Sequence, residues 1–357
     1  MESAFALGQS VRAFDLFNDW DMERFQEKGG ALKVQDMFSS SSQIQLRWQD
    51  ICRDYKKFDI GPIIFCGPVE ATPEIIEEAS VTFEVWNAPA DAIRKCRELA
   101  FLKSLADEDI FFPSINFDGS GRWIKKNLFG AGGTSIFDYH GEELAEDEYA
   151  QKYIGGTSIG AVYYTSASGS RLLGITRHIN AHPGFRQPEF SFGGIVYPAV
   201  VDDQTTALLS RFGERVGKAS GLLGFWGADF TIGADKKIGL LEINPRPTAS
   251  LELVAKEHAI DIVSLQRDAV MGNRVTLKQF DNHPKKFTGT AVCYADCETV
   301  FSAPEFWFQR GGRDLPFDGA VIRKGEPILS LYADSDSYEN VLLKLENYAD
   351  NLYRKDV

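Results

Sequence analysis

Apolar and polar positions along this chain alternate between two periods. Short apolar runs at residues 11–17, 62–66 and 81–86 have the spacing of strands. Between the last two lies a helix signal: Thr72 is placed to cap it, Pro73 suits its first turn, and Glu74, Glu77 and Glu78 put negative charge at the positive end of the helix dipole. Alternating strand and helix predict an α/β architecture. Such a domain ordinarily begins with a strand and a glycine turn, whereas residues 3–7 are helix-like, so its first strand is expected to be missing and the natural start to lie upstream of Met1. From Asp91 to Leu105 apolar residues recur at helical spacing (Ile93, Cys96, Leu99, Ala100, Leu102, Leu105), and Pro113 closes the segment.

Strands around a glycine loop are predicted for residues 122–153, further strands for 162–179 and 193–200, and a helix for 203–220. A polar linker at 278–286 precedes turns, short strands and a closing helix over 338–352. The Ser-rich stretch 39–42 reads as a loop, and no repeat is present. These shifts divide the chain into three expected domains, residues 1–90, 91–275 and 276–357.

Composition narrows the function classes. The 357 residues exceed what one core usually holds, roughly 250–300, and 44% hydrophobic with 25% charged residues describe an ordinary folded protein. A net charge of −13 leaves no basic footprint for nucleic acid. No apolar run approaches the roughly 20 residues of a membrane helix, and Met1-Glu2-Ser3-Ala4-Phe5 does not open a signal peptide. A cytoplasmic protein without membrane or nucleic-acid partners is expected. Five scattered cysteines suit reduced thiols, and Cys293 and Cys297 have no ligand pair nearby to complete a zinc site. His178 and His182 precede Pro183-Gly184 and are expected in a surface loop, beside a substrate.

Three segments carry chemistry. In the first, two apolar runs flank the polar turn Gly233-Ala234-Asp235-Lys236-Lys237. A two-residue loop at Asp235-Lys236 would place Asp229 opposite Glu242, with Glu242 and Asn244 on one face and Leu241, Ile243, Phe230 and Ile232 toward the core. Opposed like charges destabilise a sheet unless a cation lies between them, and two carboxylates with an amide carbonyl suit magnesium or manganese. Pro245 ends the ladder, and Arg246 follows with a fork that can hold a phosphate or carboxylate bidentately. The second segment, Lys125-Lys126-Asn127 running to Gly130-Ala131-Gly132-Gly133-Thr134-Ser135, is a strand and glycine loop whose amides can approach phosphates. Lys125 and Lys126 alternate faces, so only one can enter such a site. The third, Gln151-Lys152-Tyr153-Ile154-Gly155-Gly156, is extended and can offer backbone groups to an adenine edge.

Together and in this order, the segments resemble the ATP-grasp superfamily of nucleotide-dependent ligases over roughly residues 90–273. The resemblance implies ATP with magnesium or manganese as cofactors, Lys126 on the phosphates, Gly130, Gly132, Gly133, Thr134 and Ser135 in a lid loop, and Gln151, Lys152, Tyr153 and Ile154 as the adenine hinge. It implies Asp229, Glu242 and Asn244 as metal ligands, and Arg246 and Lys126 as catalytic residues. Asn127 stands where many relatives have proline, and Gly155-Gly156-Thr157 lacks a frequent acidic ribose contact. The tail, Asp314-Leu315-Pro316-Phe317-Asp318-Gly319 with Gly325-Glu326-Pro327-Ile328, is similar to the closing segment of biotin-carboxylase-like members. The opening, with Ser3-Ala4, Leu7-Gly8 and Asp15-Leu16-Phe17, resembles ATP-grasp proteins linked to methanopterin-dependent one-carbon metabolism. The implied fold is an ATP-grasp fold of the α/β (α+β) class, with a Rossmann-like N-terminal domain and a small β-rich C-terminal region. The implied activity is ligation of a small-molecule carboxylate to an amine through an acyl phosphate, with a homodimer as an admissible assembly. The alternatives are a carboxylase acting on bicarbonate and a non-catalytic nucleotide-binding regulatory module.

Overall fold

The structure, a computed structural model, describes residues 19–24, 61–67, 69–130, 132–133, 135–277 and 286–354. The expected helix at 3–7, the strand at 11–17, the loop at 39–42, Cys52, Thr134 and linker residues 278–285 lie outside the described residues.

Before residue 90, the expected strands 62–66 and 81–86 meet in one parallel bridge, Ile63 against Val85. Ile63 N–H donates to Glu84 O and Trp86 N–H to Ile63 O, both at 2.8 Å. Between them come a 3-10 turn, Val69–Ala71, and helix α1 (Glu74–Ser80). Pro73, already helical at φ −62°, takes the cap position expected for Thr72, so Thr72 contributes only its carbonyl, which accepts from Ile75 N–H (3.1 Å).

The single helix expected over 91–105 is two, α2 (Ala90–Arg97) and α3 (Leu99–Ser104). Glu98 breaks it with an extended ψ of 120°. Ile93, Cys96, Phe101 and Leu102 all enter one core across the break, so apolar spacing continues where the backbone does not.

The strands follow as β1 (Ile110–Phe111), β2 (Trp123–Asn127), β3 (Phe137–Asp138), β4 (Glu148–Lys152), β5 (Thr157–Ser166), β6 (Gly169–His178) and β7 (Gly194–Tyr197). Then come α4 (Asp203–Ser220), β8 (Gly224–Ile232), β9 (Ile238–Asn244), α5 (Ala249–His258) and α6 (Ile262–Val270). The last region holds β10 (Phe287–Tyr294), β11 (Thr299–Val300), α7 (Pro304–Phe308), β12 (Gly312–Arg313), β13 (Val321–Ile322), β14 (Pro327–Ser335) and α8 (Tyr338–Tyr353).

Among the described residues, nine strands form one mixed sheet in the order β1-β9-β8-β5-β6-β7-β10-β14-β12, β3-β2-β4 form a small sheet, and β11 pairs with β13. The large sheet is covered on both faces, and β5 shows why its residues alternate. Ile159, Ala161 and Tyr163 enter the core shared with α2, α3 and α4, while Val162 and Tyr164 enter the one shared with α5 and α6. A third core, with Val341, Leu345, Ala349 and Leu352 of α8 against β10 and β14, fills the far end. Helix α4 matches its predicted bounds because both ends carry local signals. Asp202 accepts from Thr205 N–H (2.8 Å), and Gly221 ends the helix at φ +79°.

Gly213 lies where α4 crosses the buried Tyr163 ring, which stacks on Trp226 at 4.2 Å between centroids. Alanine ordinarily favours a helix by about 1 kcal/mol over glycine, but here a Cβ would overlap that ring. Gly213→Ala is therefore expected to lower stability by about 1–3 kcal/mol. Denaturant midpoints decide it; a rise would show that Tyr163 can yield.

Candidate active site

The β8–β9 hairpin sets the paired carboxylates. Asp229 faces Glu242 across the ladder, but by another route than a two-residue loop. Gly233 N–H donates to Lys237 O (3.0 Å), Lys236 N–H to Gly233 O (2.9 Å), and Lys236 adopts φ +64°, so the loop spans residues 234–236. That shifts the pairing to Ile232 with Ile238, and a bulge beside Asp229 shifts it back. As a result Leu240, not Leu241, takes the core position beside Ile243, and Leu241 is half-buried.

Helix α5 decides which part of this face stays open. Val254 lies over Gly174, Ser250 Oγ is 2.9 Å from Thr176 Oγ1, and Thr248, the residue capping α5, lies over Gly227. Counting by two, the next residues on β6 and β8 are His178 and Asp229, beyond the helix start. His178 Nε2 is 3.6 Å from Asp229 Oδ1, and Asn244 Nδ2 donates to Asp229 Oδ2 (2.9 Å). His178 thus ends a strand rather than sitting in the expected surface loop. Gly160 lies beneath this group; a Cβ there would come within 2.7 Å of His178 Nε2 and 3.3 Å of Asp229 Oδ1.

The small sheet forms the other wall. On β2, Lys125 turns away to pair with Glu148 (3.2 Å), and Lys126 turns inward, buried, with Nζ 3.3 Å from Leu241 O and 3.5 Å from Gln151 Oε1. Asn127 shapes the exit from the strand. Its side chain accepts from Phe129 N–H (2.8 Å) and donates to Asp147 (2.6 Å), while its carbonyl accepts from Gly130 N–H (3.2 Å). The glycine loop then closes on the segment after β6. Gly132 O accepts from Phe192 N–H (3.1 Å), and any Cβ on Gly133, at φ +75°, would overlap the Phe190 carbonyl. Ser135 packs against Gly130.

Sequence reasoning missed two residues here. Arg97, at the helix break, places Nη1 3.6 Å from Glu242 Oε2 and donates from Nη2 to Gly130 O (3.1 Å). Glu70, fully buried in the 3-10 turn, accepts from Arg246 Nε through both oxygens (3.0 and 3.1 Å) and lies 3.2 Å from Arg97 Nη2. A buried carboxylate 176 residues from its partner leaves no local pattern; the one sequence hint was the density of charge around α2. Conversely, two arginines that lie in sequence between the hinge and the β8–β9 hairpin are engaged elsewhere. Arg177 lies over the Tyr338 ring (4.2 Å), and Arg186 pairs with Asp296 (2.7 Å).

Charge follows from this packing. Burial and the neighbouring Glu242 push the Asp229 carboxyl well above the usual range, while for Glu242 the charges of Lys126 and Arg97 outweigh burial and hold it low. One proton is thus favoured for the pair until a cation arrives. Burial works against the Lys126 ammonium, but Tyr149 and Glu242 outweigh it and raise its pKa. Burial brings the His178 imidazole down to about 4, so it is neutral near pH 7.

The donors fit a magnesium-bound nucleotide. Two register-paired carboxylates and the Asn244 carbonyl are hard oxygens, the ligand type magnesium takes, and among the described residues no group of three His, Cys, Asp or Glu is placed to hold a metal ion without such an amide or a ligand phosphate. Arg97 Nε and Gln151 Nε2 are buried with no partner, as expected of atoms that meet a ligand. In the hinge, Lys152 N–H donates to Ser114 O (2.8 Å) and Tyr153 N–H to Arg122 O (2.9 Å), so these two amides are already engaged. Lys152 Nζ reaches Ser120 (3.1 Å), Tyr153 is exposed beneath Arg122, and Ile154 is half-buried.

Residues 99–250 match the ATP-grasp domain family. No curated protein sequence matches the chain. Among solved structures, the biotin carboxylase domain dimer of the Hydrogenobacter thermophilus 2-oxoglutarate carboxylase, in complex with MgADP, ADP and bicarbonate, is 13% identical, with a TM-score of 0.71 over 96% of this chain and 85% of that one. An L-amino acid ligase from Bacillus licheniformis is 15% identical, with a TM-score of 0.69 over 98% and 93%. The N5-carboxyaminoimidazole synthase of Aspergillus clavatus, in complex with ADP and 5-aminoimidazole ribonucleotide, is 14% identical, with a TM-score of 0.68 over 98% and 94%. At these identities the likeness is one of fold.

Gly160→Ala is expected to cost about 1–3 kcal/mol through its collision with His178. Adding His178→Ala should recover part of that loss, giving a favourable coupling of at least about 0.5 kcal/mol in a double-mutant cycle. Strictly additive denaturation energies would contradict the contact.

Proposed function

Residues 99–250 are an ATP-grasp domain, and from that premise we propose that the chain is a magnesium- and ATP-dependent ligase joining a carboxylate to an amine. The observation that carries this reading is the convergence of Lys126, Arg97 and Arg246 on the ion network around the register-paired carboxylates Asp229 and Glu242. A carboxylate oxygen of the substrate bonds to the terminal phosphorus of ATP as the bond to ADP breaks. The amine nitrogen then attacks the acyl carbon, loses a proton, and phosphate leaves.

Lys126 and Arg246 are assigned to the phosphoryl oxygens, where charge is redistributed in transfer. Asp229, Glu242 and Asn244 are assigned to the magnesium, which when bound neutralises phosphate charge and orients the transferring group. Gly130, Gly132, Gly133, Thr134 and Ser135 are assigned to a lid that keeps water from the acyl phosphate, and Gln151, Lys152, Tyr153 and Ile154 to the adenine edge. In this reading residues 1–90 and 276–357 flank the clamp of residues 91–275 in a cytoplasmic enzyme. Among the described residues no helix is long and apolar enough to cross a membrane.

Glu242→Gln keeps shape but removes charge, and turnover is expected to fall at least about a hundredfold. Lys126→Ala should chiefly weaken nucleotide affinity; an unchanged affinity would remove Lys126 from the phosphates. With a carboxylate, ATP and no amine, ADP and phosphate should form, and hydroxylamine should trap a hydroxamate. AMP with pyrophosphate would mean adenylation instead. A strict bicarbonate requirement would favour a carboxylase, and nucleotide binding without ADP release across a broad substrate set would favour a regulatory module.

A further inference from the structure

The Glu70 carboxylate is the most completely buried charge near the proposed phosphate site, with 0% of its side chain exposed, and the chemistry above gives it no task. Arg246 Nε donates to both its oxygens at 3.0 and 3.1 Å, and Arg97 Nη2 lies 3.2 Å from Oε1. One carboxylate therefore holds two guanidinium groups, one following β9 and one ending α2. Both groups keep donors to offer. Arg246 Nη1 makes only a long contact with Pro247 O (3.5 Å), and Arg97 Nε is buried without a partner.

We propose that Glu70 is a positioning residue: by gripping Arg246 through its Nε edge and Arg97 through Nη2, it presents the remaining donors of both arginines to a transferring phosphoryl group. This rests on the ligase reading above. A guanidinium is planar, so holding Arg246 by its single Nε–H, shared between both Glu70 oxygens, restricts the direction in which its two terminal nitrogens point. An arginine held only by solvent would have to be ordered at the moment of transfer, whereas one ordered beforehand acts without reorganisation. Glu70 supplies that order from outside the ATP-grasp domain, since its turn precedes residue 99. The break at Glu98 serves the same arrangement by ending α2 at Arg97, which also reaches Gly130 of the glycine loop. The prearrangement acts on the transition state more than on ground-state nucleotide, because the terminal phosphoryl group becomes planar and shifts toward the acceptor only in transfer.

The test compares two probes on the full chain, MgATP and MgADP with aluminium fluoride, the latter mimicking a phosphoryl group in transfer. Glu70→Gln preserves shape and removes the charge that orients the arginines. It is expected to bind MgATP within about threefold of the wild type and the aluminium fluoride complex at least tenfold more weakly. Glu70→Asp keeps the charge on a shorter arm and should fall between the two; it decides the matter if Glu70→Gln does not fold. Equal weakening of both probes, or no weakening of either, would overturn the positioning role while leaving the ligase reading intact. A wild-type chain that binds neither probe would sink the ligase reading, and this inference with it.

Discussion

Opposed carboxylates on neighbouring strands are the constraint around which the rest of this site is arranged. Two like charges about 4 Å apart repel by roughly 4 kcal/mol at an effective dielectric near 20. A favourable cross-strand pair contributes only about 0.2–1 kcal/mol, so the ladder alone cannot hold Asp229 and Glu242 together as two anions. Their surroundings supply the difference: Lys126 and Arg97 favour the charge on Glu242, Asn244 donates to Asp229, and Asp229 is held toward its protonated form. A cation between the two carboxylates would complete what these neighbours begin.

Regular elements place these groups with little freedom. The sheet offers a flat face on which every second residue emerges, and the start of α5 sets where that face ceases to be covered. Gly160, Gly174 and Gly227 each lie where a Cβ would come within 2.8 Å of another side chain, so small residues set both the approach of α5 and the room beside the carboxylates. The small sheet lies across the cleft, with Lys126 touching the backbone at Leu241, the residue released from the core by the bulge. Of the buried side-chain atoms without partners among the described residues, Arg97 Nε and Gln151 Nε2 belong to side chains that line the proposed site, while Arg215 Nε on α4 and Thr231 Oγ1 on β8 are likewise unpartnered.

Elements whose ends carry their own chemistry were legible one by one. Helix α4 has Asp202 before it and Gly221 after it, and closing helix α8 has Ser337 accepting from Asn340 N–H (3.2 Å). The opposition of Asp229 and Glu242 was legible too, though through compensating differences: a longer loop shifted the pairing one way and a bulge shifted it back. Alternation could not distinguish these routes, because both preserve which residues face the cleft. Apolar spacing likewise hid the break at Glu98, since residues on both sides enter the same core.

By itself, the amino-acid sequence determined the two periods, the glycine loop, and a lysine, carboxylate, amide and arginine set of types that suit phosphate and a hard cation. Those features depend on neighbours a few residues away, where backbone geometry is nearly invariant. Tertiary structure alone decided which arginines meet beside the paired carboxylates. It drew Arg177 and Arg186 to Tyr338 and Asp296, and brought Glu70 and Arg97 to Arg246. A buried charge is tolerated only when its partners are supplied, and those partners come from whichever segments the fold packs against it.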